Sequence, residues 1–220
     1  MKKLSFVIPT INRYEYLNQC LISLNKTIKP KDIFIHLTII DDASDDENTK
    51  NYIKNYNCLF ADKIDKIFKH TRTSGLCETN LKEIWSKHYD EGYDLFCNMD
   101  PDAIVNENWL IKLIELHTKV GNIVTPFDTI AHKRKEIFND YVSKSTVGGI
   151  CLLFDKIVYK NIIESCLFPS PAWDWEVCKK FKNFYCTNPS YIEHIGKMSS
   201  ARDSNLIPLF DKAINFIGEL

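Results

Sequence analysis

The sequence predicts an α/β fold, one domain built on a mainly parallel central sheet flanked by helices. Three observations predict it. Strand-like and helix-like segments alternate through the first half of the chain. The strands are continuous apolar runs, as expected where both faces of a sheet are covered. Polar residues cluster where these runs end, and open parallel sheets bind ligands outside the carboxyl ends of their strands.

The elements follow in order. Leu4 to Ile8 is an apolar strand stopped by Pro9-Thr10. A helix begins near Tyr14, with Leu17, Leu21 and Leu24 at helical spacing. Ile33 to Ile40 is a second strand, ended by Asp41-Asp42. Ser44, with Glu47 three residues on, has the pattern of a helix cap. Ile64 to His70 is a third strand, and the next helix carries Leu81, Ile84, Trp85 and His88 on one face. The fourth strand, Tyr93 to Cys97, leads into Asn98-Met99-Asp100-Pro101-Asp102.

The second half is less regular. A helix runs from Trp109 to about Thr118. Val147 to Phe154 reads as a strand entered through Gly148-Gly149. Pro169 to Pro171 marks a loop, and Trp173-Asp174-Trp175-Glu176 opens a helix. Tyr191 to His194 is a last strand, and Asp203 to Ile217 has the pattern of an amphipathic helix.

The 220 residues suffice for one sizeable domain, and 45% apolar with 26% charged content is ordinary for a globular protein. A net charge of −1 gives no electrostatic reason to expect nucleic acid as a partner. No run reaches the ~20 apolar residues that span a bilayer. Lys2-Lys3 leads straight into a strand, without the apolar region of a signal peptide, so the expected location is cytoplasmic. The eight cysteines include no CxxC pair, which favours reduced, structural thiols over disulfides or zinc.

Asp100 and Asp102 pose the main chemical question. Two like charges at the end of a buried strand repel one another. They are tolerated where water, a cation or a donor-rich ligand reaches them.

"SFVIPTINRYEYL", "IIDDASDD", "TSGLCETN", the D-x-D of Asp100 and Asp102, and the late "WDWE" come in the order seen in glycosyltransferase family 2. The resemblance covers roughly residues 4 to 200. It implies a GT-A fold, with residues 1–102 binding a nucleotide-sugar and residues 103–220 binding the acceptor and carrying catalysis. Pro9, Thr10, Asn12, Asp41 and Asp42 would then lie at the nucleoside, and Arg72 and Gly75 beside the diphosphate. Asp102 would hold Mn²⁺ or Mg²⁺, with Asp100 at the ribose or the metal and His194 as a further ligand. Gly148 and Gly149 would line the meeting point of donor and acceptor. Asp174 would be the catalytic base, with Glu176 its rival.

The reaction implied is inverting transfer from a nucleotide-sugar, a UDP-sugar by preference, to a glycan, lipid-linked or protein-linked sugar; a homodimer is compatible with it. Ile11 stands where family members often carry a base-stacking Tyr, which weakens the expectation of uracil. The chain ends soon after the last motif, which argues against a processive polysaccharide synthase. The rivals are a sugar-phosphate nucleotidyltransferase, whose glycine-rich N-terminal loop is missing from Pro9 to Tyr14, and a non-catalytic sugar- or nucleotide-binding module.

Overall fold

The computed structural model describes residues 1–73, 77–167, 173–197 and 211–218. Its N-terminal half alternates strand and helix: β1 (Lys2–Thr10), α1 (Tyr14–Leu24), β2 (Ile33–Asp41), α2 (Glu47–Asn55), β3 (Lys63–Phe68), α3 (Cys77–Asp90) and β4 (Leu95–Asn98). These four strands pair in parallel in the order β3-β2-β1-β4. The register aligns Thr10, Asp41 and Phe68 across three strand ends. The β1 and β2 side chains are buried almost throughout, because helices cover both faces.

On one face, Leu17, Leu21 and Leu24 of α1 pack with Phe6, Ile8, Leu37 and Ile39. On the other, Leu81, Ile84 and Trp85 of α3 pack with Phe96, Phe154 and Tyr159. Trp85 is fully buried and meets Phe154 edge-on at 5.2 Å and Trp173 at 6.1 Å.

The second half extends the same sheet with antiparallel as well as parallel pairs. It contains β5 (Ala103–Val105), α4 (Trp109–Val120), β6 (Val124–Thr125), β7 (Arg134–Ile137) and β8 (Tyr141–Lys144). Then come β9 (Leu153–Asp155), the short α5 (Lys156–Val158) with a π-turn behind it, α6 (Trp173–Lys180), β10 (Phe184–Thr187) and β11 (Ile192–His194). The full order is β3-β2-β1-β4-β9-β6-β10-β8-β7, and β5 and β11 form a separate antiparallel pair. Gly121, at φ 65°, takes the left-handed position that ends α4.

Three expectations need correction. The cap of α2 is Asp46, which accepts from Asn48 N at 3.0 Å and Thr49 N at 3.1 Å. Ser44 instead donates its hydroxyl to Asp41. Second, Val147 to Phe154 is a strand only from Leu153. The Asn98 side chain replaces ladder bonds there, donating to Gly149 O at 2.5 Å and accepting from Leu152 N at 3.0 Å. Third, residues 211–218 are not helical. They bridge Thr129 through Ala213 and Ser190 through Phe216, so their backbone pairs with neighbouring segments. The rest of that expected helix, 203–210, and the Pro169 to Pro171 loop lie outside the described residues.

Among the described residues no helix is long and apolar enough to cross a membrane. Among the described residues seven cysteines are free and buried.

Candidate active site

The carboxyl ends of β1, β2 and β3 open into a cleft of about 790 Å³, whose lining includes Ile11, Asn12, Asp41, Phe68, His70 and Arg72. Pro9 and Thr10 end β1, and Thr10 Oγ1 is buried with no hydrogen-bond partner among the described residues. Asp42 N donates to Thr10 O at 2.9 Å. The Asp42 carboxylate accepts from Thr73 Oγ1 at 2.9 Å and Thr73 N at 3.2 Å. Burial raises the Asp41 carboxyl above its ordinary range, partly offset by the bonds from Ser44. Asn12, at φ 48°, clamps the next loop by accepting from Asp45 N at 2.8 Å and Asp46 N at 3.1 Å. Gly75 lies outside the described residues.

The acidic centre forms where β4 ends. Asp100 N donates to Ile150 O at 2.8 Å, so the backbone is held from both sides of the sheet. The β5–β11 pairing sets Ala103 opposite His194, and Ile195 N donates to Asp102 O at 2.9 Å. This brings His194 Nε2 to 3.3 Å from Asp102 Oδ2. Arg13 Nη1 meets the same oxygen at 2.5 Å. Gly196 lies against the Asp102 carboxylate, where any Cβ would collide.

Burial, with Asp102 close by, drives the Asp100 carboxyl well above its ordinary range. Burial acts on Asp102 too, but His194 and Arg13 outweigh it and hold that carboxyl low. Burial alone would lower His194; the hydrogen bond and charge of Asp102 raise it instead. The two aspartates therefore differ in their hold on a proton because of what surrounds them.

Among the described residues no three His, Cys, Asp or Glu side chains are placed as a metal cage. Among the described residues Asp102 Oδ1 is buried without a hydrogen-bond partner, as is His194 Nδ1, while the other ring nitrogen, Nε2, faces Asp102. That fits a hard cation held by one or two carboxylates and completed by substrate oxygens.

Across the Gly148-Gly149 turn stands Asp174, in the first turn of α6. It accepts from Gly149 N at 3.1 Å through Oδ2 and from Trp175 N at 2.9 Å through Oδ1. Trp173 is buried against Trp85 and anchors the helix, while Trp175 is exposed. A Cβ on Gly149 would come within 3.3 Å of Asp174 Cβ and of Trp173 Nε1. Glu176, the rival base, is paired with Lys179 at 2.6 Å.

The structure thus gathers Asp100, Asp102 and His194 in one place, and seats Asp174 beside Gly149. Sequence reasoning missed Arg13, Thr73, Asn98 and Gly196. Arg13 follows the Pro-Thr-Ile-Asn stretch directly, which was the available signal; the others show themselves only through contacts across the fold.

The profile of Glycosyl transferase family 2 matches residues 5–172. The chain belongs to this family. Its fold is that of GT-A enzymes. Among solved structures it is similar to S. aureus TarS 1-349 in complex with UDP-GlcNAc, at TM-score 0.66 and 16% identity over 91% of this chain. The same TarS fragment in complex with UDP matches at TM-score 0.59 and 15% identity over 87% of this chain. In each case the chain covers 60% of the TarS fragment's length. No curated protein matches it.

Proposed function

We propose that the chain is a metal-dependent, inverting glycosyltransferase that moves a sugar from a UDP-sugar to an acceptor hydroxyl on a glycan, lipid-linked or protein-linked sugar. The observation that carries it is the Asp102 carboxylate, buried beside Asp100 with one oxygen unpartnered among the described residues. The TarS fragment, similar in fold, is described with UDP and with UDP-GlcNAc, which supports the choice of donor.

In this reading residues 1–102 hold the donor. The Ile11–Phe68–Arg72 cleft and Asp41 take the nucleoside, with Thr10 and Asp42 bracing the strand ends. Asp102, with Asp100 and His194 beside it, would hold Mn²⁺ or Mg²⁺, which would supply charge compensation for the diphosphate leaving group. Residues 103–220 hold the acceptor. Asp174 Oδ2 takes the proton of the attacking hydroxyl, and the Gly149 N–H fixes its orientation. Trp175, exposed beside Asp174, offers an aromatic face for a sugar ring. The chain's own contribution to rate is to hold both substrates in line and keep water out.

The test is a thermal-shift screen of UDP-, GDP-, dTDP- and CMP-sugars with and without Mn²⁺, on wild type and Asp102→Asn. A donor at ~100 times its Kd adds about 2.7 kcal/mol, which in a domain of this size raises Tm by roughly 5–10 °C. The expected result is a Mn²⁺-dependent shift with UDP-sugars that Asp102→Asn removes. A shift that ignores both Mn²⁺ and Asp102 would refute the metal assignment.

A further inference from the structure

Arg13 reaches across the fold to the acidic centre. It sits just before α1, and its side chain makes no capping hydrogen bond there. Its guanidinium lies over the Tyr16 ring at 5.3 Å and reaches Asp102 Oδ2 at 2.5 Å. The Arg13 and Asp102 side chains are 12% and 4% exposed, so solvent screens the contact weakly. A guanidinium stays charged at all relevant pH and matches phosphate oxygens as well as carboxylate oxygens. His194 approaches the same Oδ2, and the Arg13 charge also reaches Asp100. A divalent cation arriving at Asp102 therefore meets a cation already in place.

We propose that Arg13 is the resident counter-cation of Asp102 and couples metal binding to donor binding. Without donor, the guanidinium neutralises Asp102 and a metal ion competes poorly for it. With donor, the diphosphate offers Arg13 a second anion, and Asp102 is released to the metal. Arg13 is then a positioning residue, acting through Asp102. This rests on the metal and donor assignments above.

The coupling is measured as Mn²⁺ affinity, by electron paramagnetic resonance of free Mn²⁺, with and without UDP. In wild type, UDP tightens Mn²⁺ binding. In Arg13→Gln, Mn²⁺ alone binds at least about fivefold tighter than in wild type, the lower end of ordinary coupling between sites, and the effect of UDP shrinks. Arg13→Met, neutral and similar in length, replaces it if the Gln variant does not melt cooperatively. Equal or weaker Mn²⁺ affinity in the folded neutral variant overturns the role of Arg13 alone. No Mn²⁺ binding by wild type, even with UDP, overturns the metal assignment, and this proposal with it.

Discussion

Lys144 is a buried charge in the second half of the chain, and replacing it with methionine tests how that half is held together. Its side chain is 1% exposed at the end of β8. Nζ donates to Thr129 O at 2.6 Å and faces Asp128 Oδ1. Asp128 is as buried as Lys144, and its other oxygen takes both Nε and Nη2 of Arg134, at 2.8 and 2.5 Å. Removing one partner of a buried pair costs about 3–5 kcal/mol, because the other charge stays behind uncompensated. Arg134 remains to compensate Asp128, which places Lys144→Met at about 3 kcal/mol. For a chain of this length that lowers Tm by roughly 6–12 °C. Asp128→Ala leaves Lys144 stranded and is expected to lose more. The double variant then recovers part of the loss, since no buried charge lacks a partner except Arg134, which reaches solvent. Thermal melts of the four proteins make the cycle. A Lys144→Met shift under about 2 °C, or a double variant that merely sums the single losses, would refute the argument.

Two further predictions follow from buried groups. His88 is 1% exposed, stacked on Tyr93 at 4.4 Å and close to Ser5 Oγ at 2.7 Å. Burial, with the nearby His36 and Lys87 charges, lowers its pKa from 6.5 to about 4. The unfolded chain thus binds the proton more readily, so stability is full above pH 6.5 and falls as pH drops toward 4. The loss is about 3 kcal/mol, and urea titrations of His88→Asn should show a flatter pH slope over that window. Gly149→Ala should cut kcat tenfold or more with little change in Tm, because the new methyl would press on Asp174 and Trp173; unchanged kcat would place the reacting atoms elsewhere.

Sequence periodicity was enough for the first four strands and three helices because β1, β2 and β4 are buried on both faces and each helix carries one apolar face. Beyond residue 145 the rule loses force. Val147 to Phe154 is apolar throughout, yet the Asn98 side chain holds it as a turn. Residues 211–218 carry helix-like spacing, yet their backbone groups are taken by Asp128 and Ser190. In both places a long-range hydrogen bond decides the local structure, and no window of sequence contains it. The site followed the same division. Asp100, Asp102 and Asp174 were legible as carboxylates at element ends. The Arg13 contact was not, because it joins positions 89 residues apart.

The two-strand ladder of β5 and β11 also sets an order of events. It couples residues 103–105 to residues 192–194, and through Ile195 it closes on the carbonyl of Asp102. During synthesis the four parallel strands emerge first. Until β11 leaves the ribosome, Asp102 lacks both His194 and the backbone donor beneath it. The acidic centre is thus completed only when β11 arrives, well after the strand that carries it.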